Sequence, residues 1–138
     1  MAKMSGKAAV VVVDDSAGTP RTISSDVKGY TVEYNIDPLE VTGFGDGSKN
    51  YVPGLLVTGI TLDVIWNSAA TTGAYTVIKS IIGAAASKTV SVTPEGTGIA
   101  YSGEFMCDGI SPKSSPDGII ELGSVHFSVM GPVAPTMA

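Results

Sequence analysis

Strict alternation of apolar and polar residues is the strongest pattern along the chain. It predicts β-strands, because successive side chains of a strand point to opposite faces. From Tyr30 to Ile36 every even-numbered residue is apolar and every odd-numbered residue is polar. Leu55 to Trp66 shows a similar pattern, and its twelve residues would span about 40 Å at roughly 3.3 Å per residue. That length is large for a chain of this size.

Three further strands follow the same rule. Val90 and Val92 alternate with hydroxyl residues, and a second run covers Ile99 to Asp108. Between these two strands, residues 94–98 carry the proline and glycines of a hairpin turn. The last strand, Ile119 to Met130, changes phase at Gly123-Ser124. A glycine β-bulge there would return both sets of apolar side chains to the core.

One segment has helical spacing. Between Thr71 and Ala86, apolar residues recur three and four positions apart, namely Ala74, Val77, Ile78, Ile81 and Ile82. Thr71 or Thr72 could act as the N-cap, and Gly83 could end the helix early. The pattern therefore predicts six or seven strands and one short helix, packed over one open end or face of the sheet.

The predicted loops differ in interest. Asp14 to Asp26 reads as a polar loop, and Asp37 to Gly54 reads as a much longer one with several glycines and prolines. Long loops in compact domains are often functional, so the second is a candidate contact arm. We expect one domain over residues 1–138, with a flexible N-terminus at 1–7. The C-terminal tail at 131–138 is expected to be flexible too, and its prolines disfavour pairing in a sheet.

Composition narrows the function classes. The 138 residues carry a formal net charge of −5, and only 15% of them are charged, so specific binding to nucleic-acid phosphates is disfavoured. A chain with so few surface charges is expected to cover much of its surface with partners. Cys107 is the single cysteine and cannot form an intrachain disulfide. No run has the length of a signal peptide core or a membrane span.

Candidate chemistry is sparse. The single histidine, His126, shares a strand face with serines and reads as a surface or interface residue, and Cys107 reads as a buried small apolar residue. Residues 43–47 have the glycines of a phosphate loop, but a strand follows them where such a loop needs a helix. Asp37 and Asp46 lack the spacing of a calcium-binding EF-hand. Asp14, Asp15, Asp46 and Asp63 form no distinguishable catalytic pair. We therefore predict no catalytic, cofactor or metal site.

Three stretches together resemble the tail tube protein family of long-tailed bacteriophages. The first runs from Asp15 through Ile23-Ser24 to Tyr30 and resembles the family's acidic turn before a strand. The second runs from Val41 through Phe44-Gly45-Asp46 to Gly54-Leu55, and the third is the strand segment 60–63. The resemblance covers roughly residues 14–66. Beyond it, only the order and length of the helix and closing strands agree.

The resemblance implies a β-sandwich or small barrel with one flanking helix. It also implies a structural virion protein of the tail, assembled in the host cytoplasm, in which six copies close into a ring and rings stack into a hollow tube. DNA would pass through without specific binding, and tape measure and tail terminator proteins would be further partners. The candidate subunit contacts are Phe44, Asp46, Tyr51 and Leu55. No cofactor, membrane association or enzymatic activity is implied.

Two other functions stay open. The chain could be a capsid decoration or head-tail connector protein, which would bind a preformed shell and not polymerise alone. It could also be a carbohydrate-binding β-sandwich, with Tyr30, Tyr34 and Trp66 as a platform for sugar rings. Those aromatic residues share the apolar phase of their strands, so a place in the core is the favoured interpretation for them.

Overall fold

The structure, a computed structural model, describes residues 6–131 and 135–137 and is mainly β. Two short 3-10 turns, Gly6–Ala8 and Ser24–Asp26, accompany eight strands and one helix. In chain order these are β1 Val10–Asp14, β2 Pro20–Thr22, β3 Val27–Glu40, β4 Tyr51–Ile65, α1 Ala74–Ile81, β5 Lys88–Thr93, β6 Tyr101–Gly109, β7 Glu121–Val129 and β8 Thr136–Met137.

All strand pairs are antiparallel and belong to one sheet. Seven strands follow the order β2-β1-β5-β6-β7-β4-β3, and β8 joins the side of β6. Among the described residues the two ends of this order, β2 and β3, do not pair with each other, so the sheet is not closed into a barrel. The predicted mainly-β fold with one short helix is confirmed. The short linker from Ile23 to Asp26 connects the two edge strands.

One face of the sheet and the inner face of α1 form the core. Strands β1, β5, β6, β7 and β4 all place apolar side chains there, and α1 covers them with Val77, Ile78 and Ile81. Burying each such side chain stabilises the fold by about 1.5–3 kcal/mol. Cys107 is 2% exposed, which confirms that it serves as a small apolar core residue. The predicted core face of the last strand is confirmed at Leu122, Val125 and Phe127, which are buried, and is wrong at Ile120, which is 52% exposed and precedes β7.

Helix α1 is shorter than the predicted 71–86 and is capped differently. Thr71 has a φ of +70°, which is incompatible with a right-handed helix. Gly73 is the N-cap residue, and it has no side chain that could accept a capping hydrogen bond. The carboxylate of Asp26 accepts a hydrogen bond from Ala74 N at 3.3 Å and from the Asn67 amide at 3.0 Å. The cap therefore comes from 48 residues earlier, where local spacing could not reveal it.

The predicted long loop at 37–54 is wrong in extent, because its two ends pair as strands. Pro38 faces Pro53 and Glu40 faces Tyr51, so only residues 41–50 connect β3 with β4. Prolines are tolerated here because this part of the hairpin has free outer edges and a register shift after Ile36. Gly54 allows the close approach, since a Cβ on it would lie 2.3 Å from the Asp37 carbonyl oxygen.

The polar loop predicted at 14–26 also contains regular structure. β2 pairs with the end of β1, and the Asp15 carboxylate organises the turn between them. Asp15 accepts bonds from Ala17 N at 2.9 Å, from Thr19 N at 3.0 Å and from Arg21 Nε at 3.0 Å. The Thr19 amide and the Arg21 guanidinium hold the pKa of Asp15 below its usual range, although burial acts in the opposite direction.

The C-terminal segment pairs with the sheet, so the expectation that it stays unpaired is wrong for residues 136 and 137. β8 pairs with Tyr101 and Ser102 of β6. Pro135 is buried and accepts a hydrogen bond from the Tyr34 hydroxyl at 3.2 Å. Gly103 leaves the room that this proline needs, because a Cβ there would lie 2.8 Å from it. Residues 1–5, 132–134 and 138 of the predicted flexible ends lie outside the described residues, and Gly6 and Lys7 belong to a 3-10 turn.

A glycine bulge in β7 is confirmed. Val64 faces Gly123 while Ile65 faces Glu121, so β7 carries one extra residue at this point. Gly123 has a φ of +77°, a left-handed conformation that favours glycine. A Cβ on Gly123 would also lie 2.0 Å from the Ser111 carbonyl oxygen. The bulge turns Leu122 and Val125 to the same side of the strand.

Substitution Gly123→Ala tests this bulge. We expect it to lower the free energy of unfolding by at least about 3 kcal/mol, because left-handed strain and a backbone clash combine. Gly18→Ala is the matched control, since its φ is +82° but its Cβ would meet open space, and it should cost only about 1–2 kcal/mol. Urea denaturation of dilute protein measures both. Equal losses would show that the Ser111 contact has no role.

Candidate functional site: an exposed hairpin arm

The β3–β4 hairpin extends well beyond the rest of the sheet. β4 pairs with β7 only between Gly59 and Ile65, so its first eight residues, 51–58, pair with β3 alone. At roughly 3.3 Å per residue, this part projects by about 26 Å. We call residues 34–57 the arm. Both of its outer edges are unpaired in the part of the chain that the structure describes.

The arm is apolar and uncovered. Nine of the fourteen exposed large apolar side chains of the described residues lie on it, which makes it the main apolar surface outside the core. They occupy both faces of the hairpin and its tip: Tyr34, Ile36, Leu39, Val41, Phe44, Tyr51, Val52, Leu55 and Val57. Continuous apolar surface of this kind is typical of protein interaction sites.

All four residues predicted as subunit contacts lie on the arm. Phe44 and Asp46 occupy the tip, Tyr51 is the first residue of β4, and Leu55 follows four positions later. Phe44 is fully exposed and Leu55 is 86% exposed, so neither is supported by packing within the chain. The structure therefore brings the four residues together on one projection. Their role as subunit contacts stays a prediction.

Hydrogen bonds hold the tip in one shape. The carboxylate of Asp46 accepts bonds from Gly43 N at 2.7 Å and from the Asn50 side-chain amide at 3.1 Å. Across the tip, Val41 N donates to the Asn50 carbonyl oxygen at 2.9 Å, and Asn50 N donates to the Thr42 hydroxyl at 2.8 Å. The side chain of Phe44 is thus presented outward by a braced loop.

Several arm residues were not identified from the sequence. Ile36 and Val57, 50% and 52% exposed, belong to strands whose alternation predicts burial of one face. Alternation shows that a strand has an apolar face, but it does not show how far the neighbouring strand extends. The sequence did carry one signal of the arm, because the predicted strand at 55–66 is long for so short a chain.

A polar trio lies on the outer face of the sheet. His126 Nδ1 lies 2.7 Å from one oxygen of Asp108, and the Ser128 hydroxyl donates to the other at 2.7 Å. Burial raises the pKa of Asp108, but these two hydrogen bonds outweigh it and hold the pKa below its usual range. Ser128 contacts the carboxylate and not the imidazole, so the trio lacks the serine–histidine contact of a catalytic triad. His126 is a partly exposed surface residue, as predicted.

Other candidate sites from the sequence are not assembled. A strand follows the glycine-rich segment 43–47, as predicted. In the described residues no three His, Cys, Asp or Glu side chains converge to hold a metal ion. Within the same residues, no helix has the length and apolar character to cross a membrane. Trp66 stacks on Tyr75 at 4.0 Å between ring centroids, while Tyr34 lies eight residues away along the hairpin, facing Thr58.

Neither a protein-family model nor a curated protein matches this chain. Solved structures do match it. A chain from the virion of a native gene transfer agent particle superposes with a TM-score of 0.77 at 17% identity, covering 97% of this chain and 99% of that one. The tail of an empty gene transfer agent particle, refined helically with C6 symmetry, gives a TM-score of 0.74 at 18% identity, covering 99% of both chains.

These likenesses extend over nearly the whole length of both chains. At such low sequence identity they establish a shared fold. The fold class predicted from alternation thus agrees with the structure and with solved relatives in fold.

Substitution Asp46→Ala tests the bracing of the tip. The Gly43 amide loses its acceptor, so we expect its hydrogen exchange to be at least about tenfold faster, because a hydrogen bond to a charged group contributes roughly 1.5–3 kcal/mol. Global unfolding should change by less than about 0.5 kcal/mol, since the tip is exposed. NMR amide exchange measures the first effect. Glu40→Ala, an exposed acidic neighbour, is the control, and an unchanged Gly43 rate in Asp46→Ala would refute the bracing.

Proposed function

We propose that this protein is a structural tail tube component whose copies close into hexameric rings that stack into a hollow conduit for DNA. The observation that carries the proposal is the full-length likeness to a chain of a C6-symmetric particle tail. The resemblance of residues 14–66 to tail tube proteins supports the same function. The first rests on the course of the backbone over the whole chain and the second on short motifs in residues 14–66.

The arm supports self-assembly. An ordered hairpin with apolar residues on both faces is unfavourable in water unless a partner covers it. A two-stranded hairpin is also only marginally stable alone. Contact with a second copy would bury Phe44, Tyr51 and Leu55 and so stabilise the arm. We assign these three residues, together with the exposed acidic Asp46, to subunit contacts.

The open sheet edges support ring formation. β3 is a fourteen-residue strand whose one partner among the described residues is β4, so a long row of backbone groups is available for a neighbour. Exposed edges of this kind favour pairing with another chain. The two edge strands of the sheet, β2 and β3, are different surfaces. Identical subunits joined through two different surfaces form a ring when the rotation closes. A ring would thus complete edges that the isolated chain leaves open.

The charge of the chain supports a conduit. A net charge of −5 would repel DNA phosphates and keep the polymer from adhering to the wall. Tape measure and tail terminator proteins would be the further partners of such a tube, and assembly would occur in the host cytoplasm before incorporation into the virion. The role is structural and requires no enzymatic activity.

A capsid decoration or head-tail connector protein is the second candidate, favoured only by the same exposed arm. Assembly of the pure protein distinguishes it from a tube protein.

The carbohydrate-binding alternative has less support. Its platform would need Tyr30, Tyr34 and Trp66 side by side, but Tyr34 faces Thr58, which is eight positions or about 26 Å from Trp66 along the chain. Two of these aromatic residues are also engaged elsewhere, Trp66 with Tyr75 and Tyr34 with Pro135.

Negative-stain electron microscopy of the purified protein tests the proposal. We expect rings or hollow tubes with sixfold symmetry at high concentration and separate particles after dilution. Uniformly monomeric particles at high concentration would contradict the tube proposal and favour a connector or decoration protein. Tubes with another symmetry would contradict the hexamer alone.

Shortening the arm tests its role. Replacing Gly43 to Lys49 with an Asn-Gly turn should abolish polymerisation, because the exposed aromatic anchor is removed. The melting temperature of the dilute protein should stay within about 2 °C, since the tip packs on nothing. Phe44→Ala should act in the same direction, whereas Ile99→Ala, an exposed isoleucine off the arm, should not. Sedimentation and microscopy measure assembly. Normal tubes from the shortened protein would show that the arm has no role in polymerisation.

A further inference from the structure

We infer that the arm tip of one copy docks on a specific surface at the opposite end of the next copy, formed by the loop between β6 and β7. This inference rests on the proposed self-assembly and names the surface that receives the arm. We call that surface the basal patch and define it by Lys113, Ser115, Gly118, Ile119, Ile120 and Glu121. It is the second place in the described residues where adjacent large apolar side chains are exposed away from the core.

The basal patch lies at the far end of the strand that carries the arm. β4 begins at Tyr51 beside the tip and ends at Ile65, which faces Glu121. Trp66 N donates to the Ile120 carbonyl oxygen at 3.2 Å, which fixes the loop to the end of β4. Fourteen steps of roughly 3.3 Å separate the two ends by about 46 Å. An arm therefore does not reach the basal patch of its own chain, and only another copy can supply it.

The patch is preformed and apolar at its centre. Ile119 and Ile120 are 58% and 52% exposed, although backbone bonds between Lys113 and Glu121, at 2.9 and 2.8 Å, hold the loop around them. Beside Ile119 lies a hollow of about 300 Å³, bounded by Lys113, Ser115 and Gly118. That volume is at the small end for binding pockets and has room for one aromatic side chain, with Ile119 as the apolar part of a wall otherwise formed by Gly118 and polar residues. Phe44 is the fully exposed aromatic residue of the tip.

Charge favours this pairing over contact between two arms. The arm carries three carboxylates, Asp37, Glu40 and Asp46, and one lysine, Lys49, which leaves −2. Two arms facing each other would therefore repel. At the basal patch Lys28 and Lys113 both approach the Glu121 carboxylate, and Asp117 in the same loop together with Asp63 near Lys28 leaves −1, half the charge of a second arm. Lys113, whose side chain is 69% exposed, offers a partner to the acidic tip, and the two lysines hold the pKa of Glu121 below its usual range, Lys28 contributing most.

Unlike surfaces at opposite ends of a molecule join copies head to tail. Such contacts propagate in one direction and, unlike two-fold contacts, do not stop at a dimer. The arm and the basal patch thus have the geometry required for repeated addition of copies. A hollow along the open seam between β1 and β3, about 570 Å³ and lined by Gly6, Val11 and Tyr30 among others, is the main rival receiving surface.

Cross-linking between two tagged variants tests the inference. Copies with Ser48→Cys at the tip, which retain Phe44, are mixed with copies carrying Ser115→Cys in the basal patch. A short bis-maleimide is added to the assembled protein, and products are separated by size and tag. We expect tip-to-base dimers that disappear on dilution. Cys107 is buried and remains in every variant, so unmodified protein treated in the same way gives the background.

Two other mixtures identify rival contacts. Tip copies with Gly6→Cys copies report the seam hollow, and tip copies alone report contact between arms. Products only from either of these would overturn the inference, as would tubes that give no tip-to-base product, and in both cases the proposed tube function would survive. All of these cysteine variants retain Phe44. If their mixtures form no assemblies at any concentration, the tube proposal fails and the proposed contact fails with it.

A point substitution gives an independent measurement. Ile119→Asp should raise the concentration needed for assembly at least about tenfold, with unchanged far-ultraviolet circular dichroism and melting temperature of the dilute protein. Ile99→Asp is the matched control, because Ile99 and Ile119 are 57% and 58% exposed and Ile99 lies in a different loop. Equal effects of the two substitutions would show that added charge, and not the basal patch, limits assembly.

Discussion

The structure depends on the difference in length between two neighbouring strands. β7 supports β4 only as far as Gly59, whereas β3 and β4 continue together to Glu40 and Tyr51. Up to that limit the apolar face of the hairpin lies on the core, with Ile60 and Leu62 buried. Beyond it the two strands continue to pair, with apolar residues on both faces and no core beneath them. The arm is therefore a regular extension of the sheet, and its exposure follows from where pairing to β7 ends.

This constraint explains how the arm remains ordered without packing. Its strands pair residue by residue, and the tip is closed by the Asp46 carboxylate and by bonds across Thr42 and Asn50. At its base, Tyr34 is tied to Pro135, so the C-terminal segment anchors the point where the arm leaves the body. Local hydrogen bonds thus fix the shape of the arm, while its apolar surface remains available. A surface held in this way loses less conformational entropy on binding than a disordered loop.

Much of the fold could be predicted from the sequence because alternation and glycine placement are local signals. The bulge at Gly123 is an example, since two apolar phases in one strand require an extra residue between them. The cap of α1 by Asp26 and the docking of Pro135 against Gly103 could not be predicted, because each joins segments far apart in the chain. The predicted loop at 37–54 is too long for a different reason. Its prolines indicate irregular structure, but the free edges of the arm tolerate prolines within strands.

The candidate site was predictable in position but not in character. A long, glycine-rich segment indicated contact residues at Phe44, Asp46, Tyr51 and Leu55, yet the apolar faces behind them depend on strand pairing. The basal patch has no sequence signature at all, because Ile119 only opens the predicted last strand and Ile120 shares the apolar phase of Leu122. These two isoleucines lie outside the sheet because β7 begins at Glu121, one residue after Ile120. One physical cause, the end of pairing along β4 and β7, therefore exposes both unlike surfaces, one at each end of the molecule.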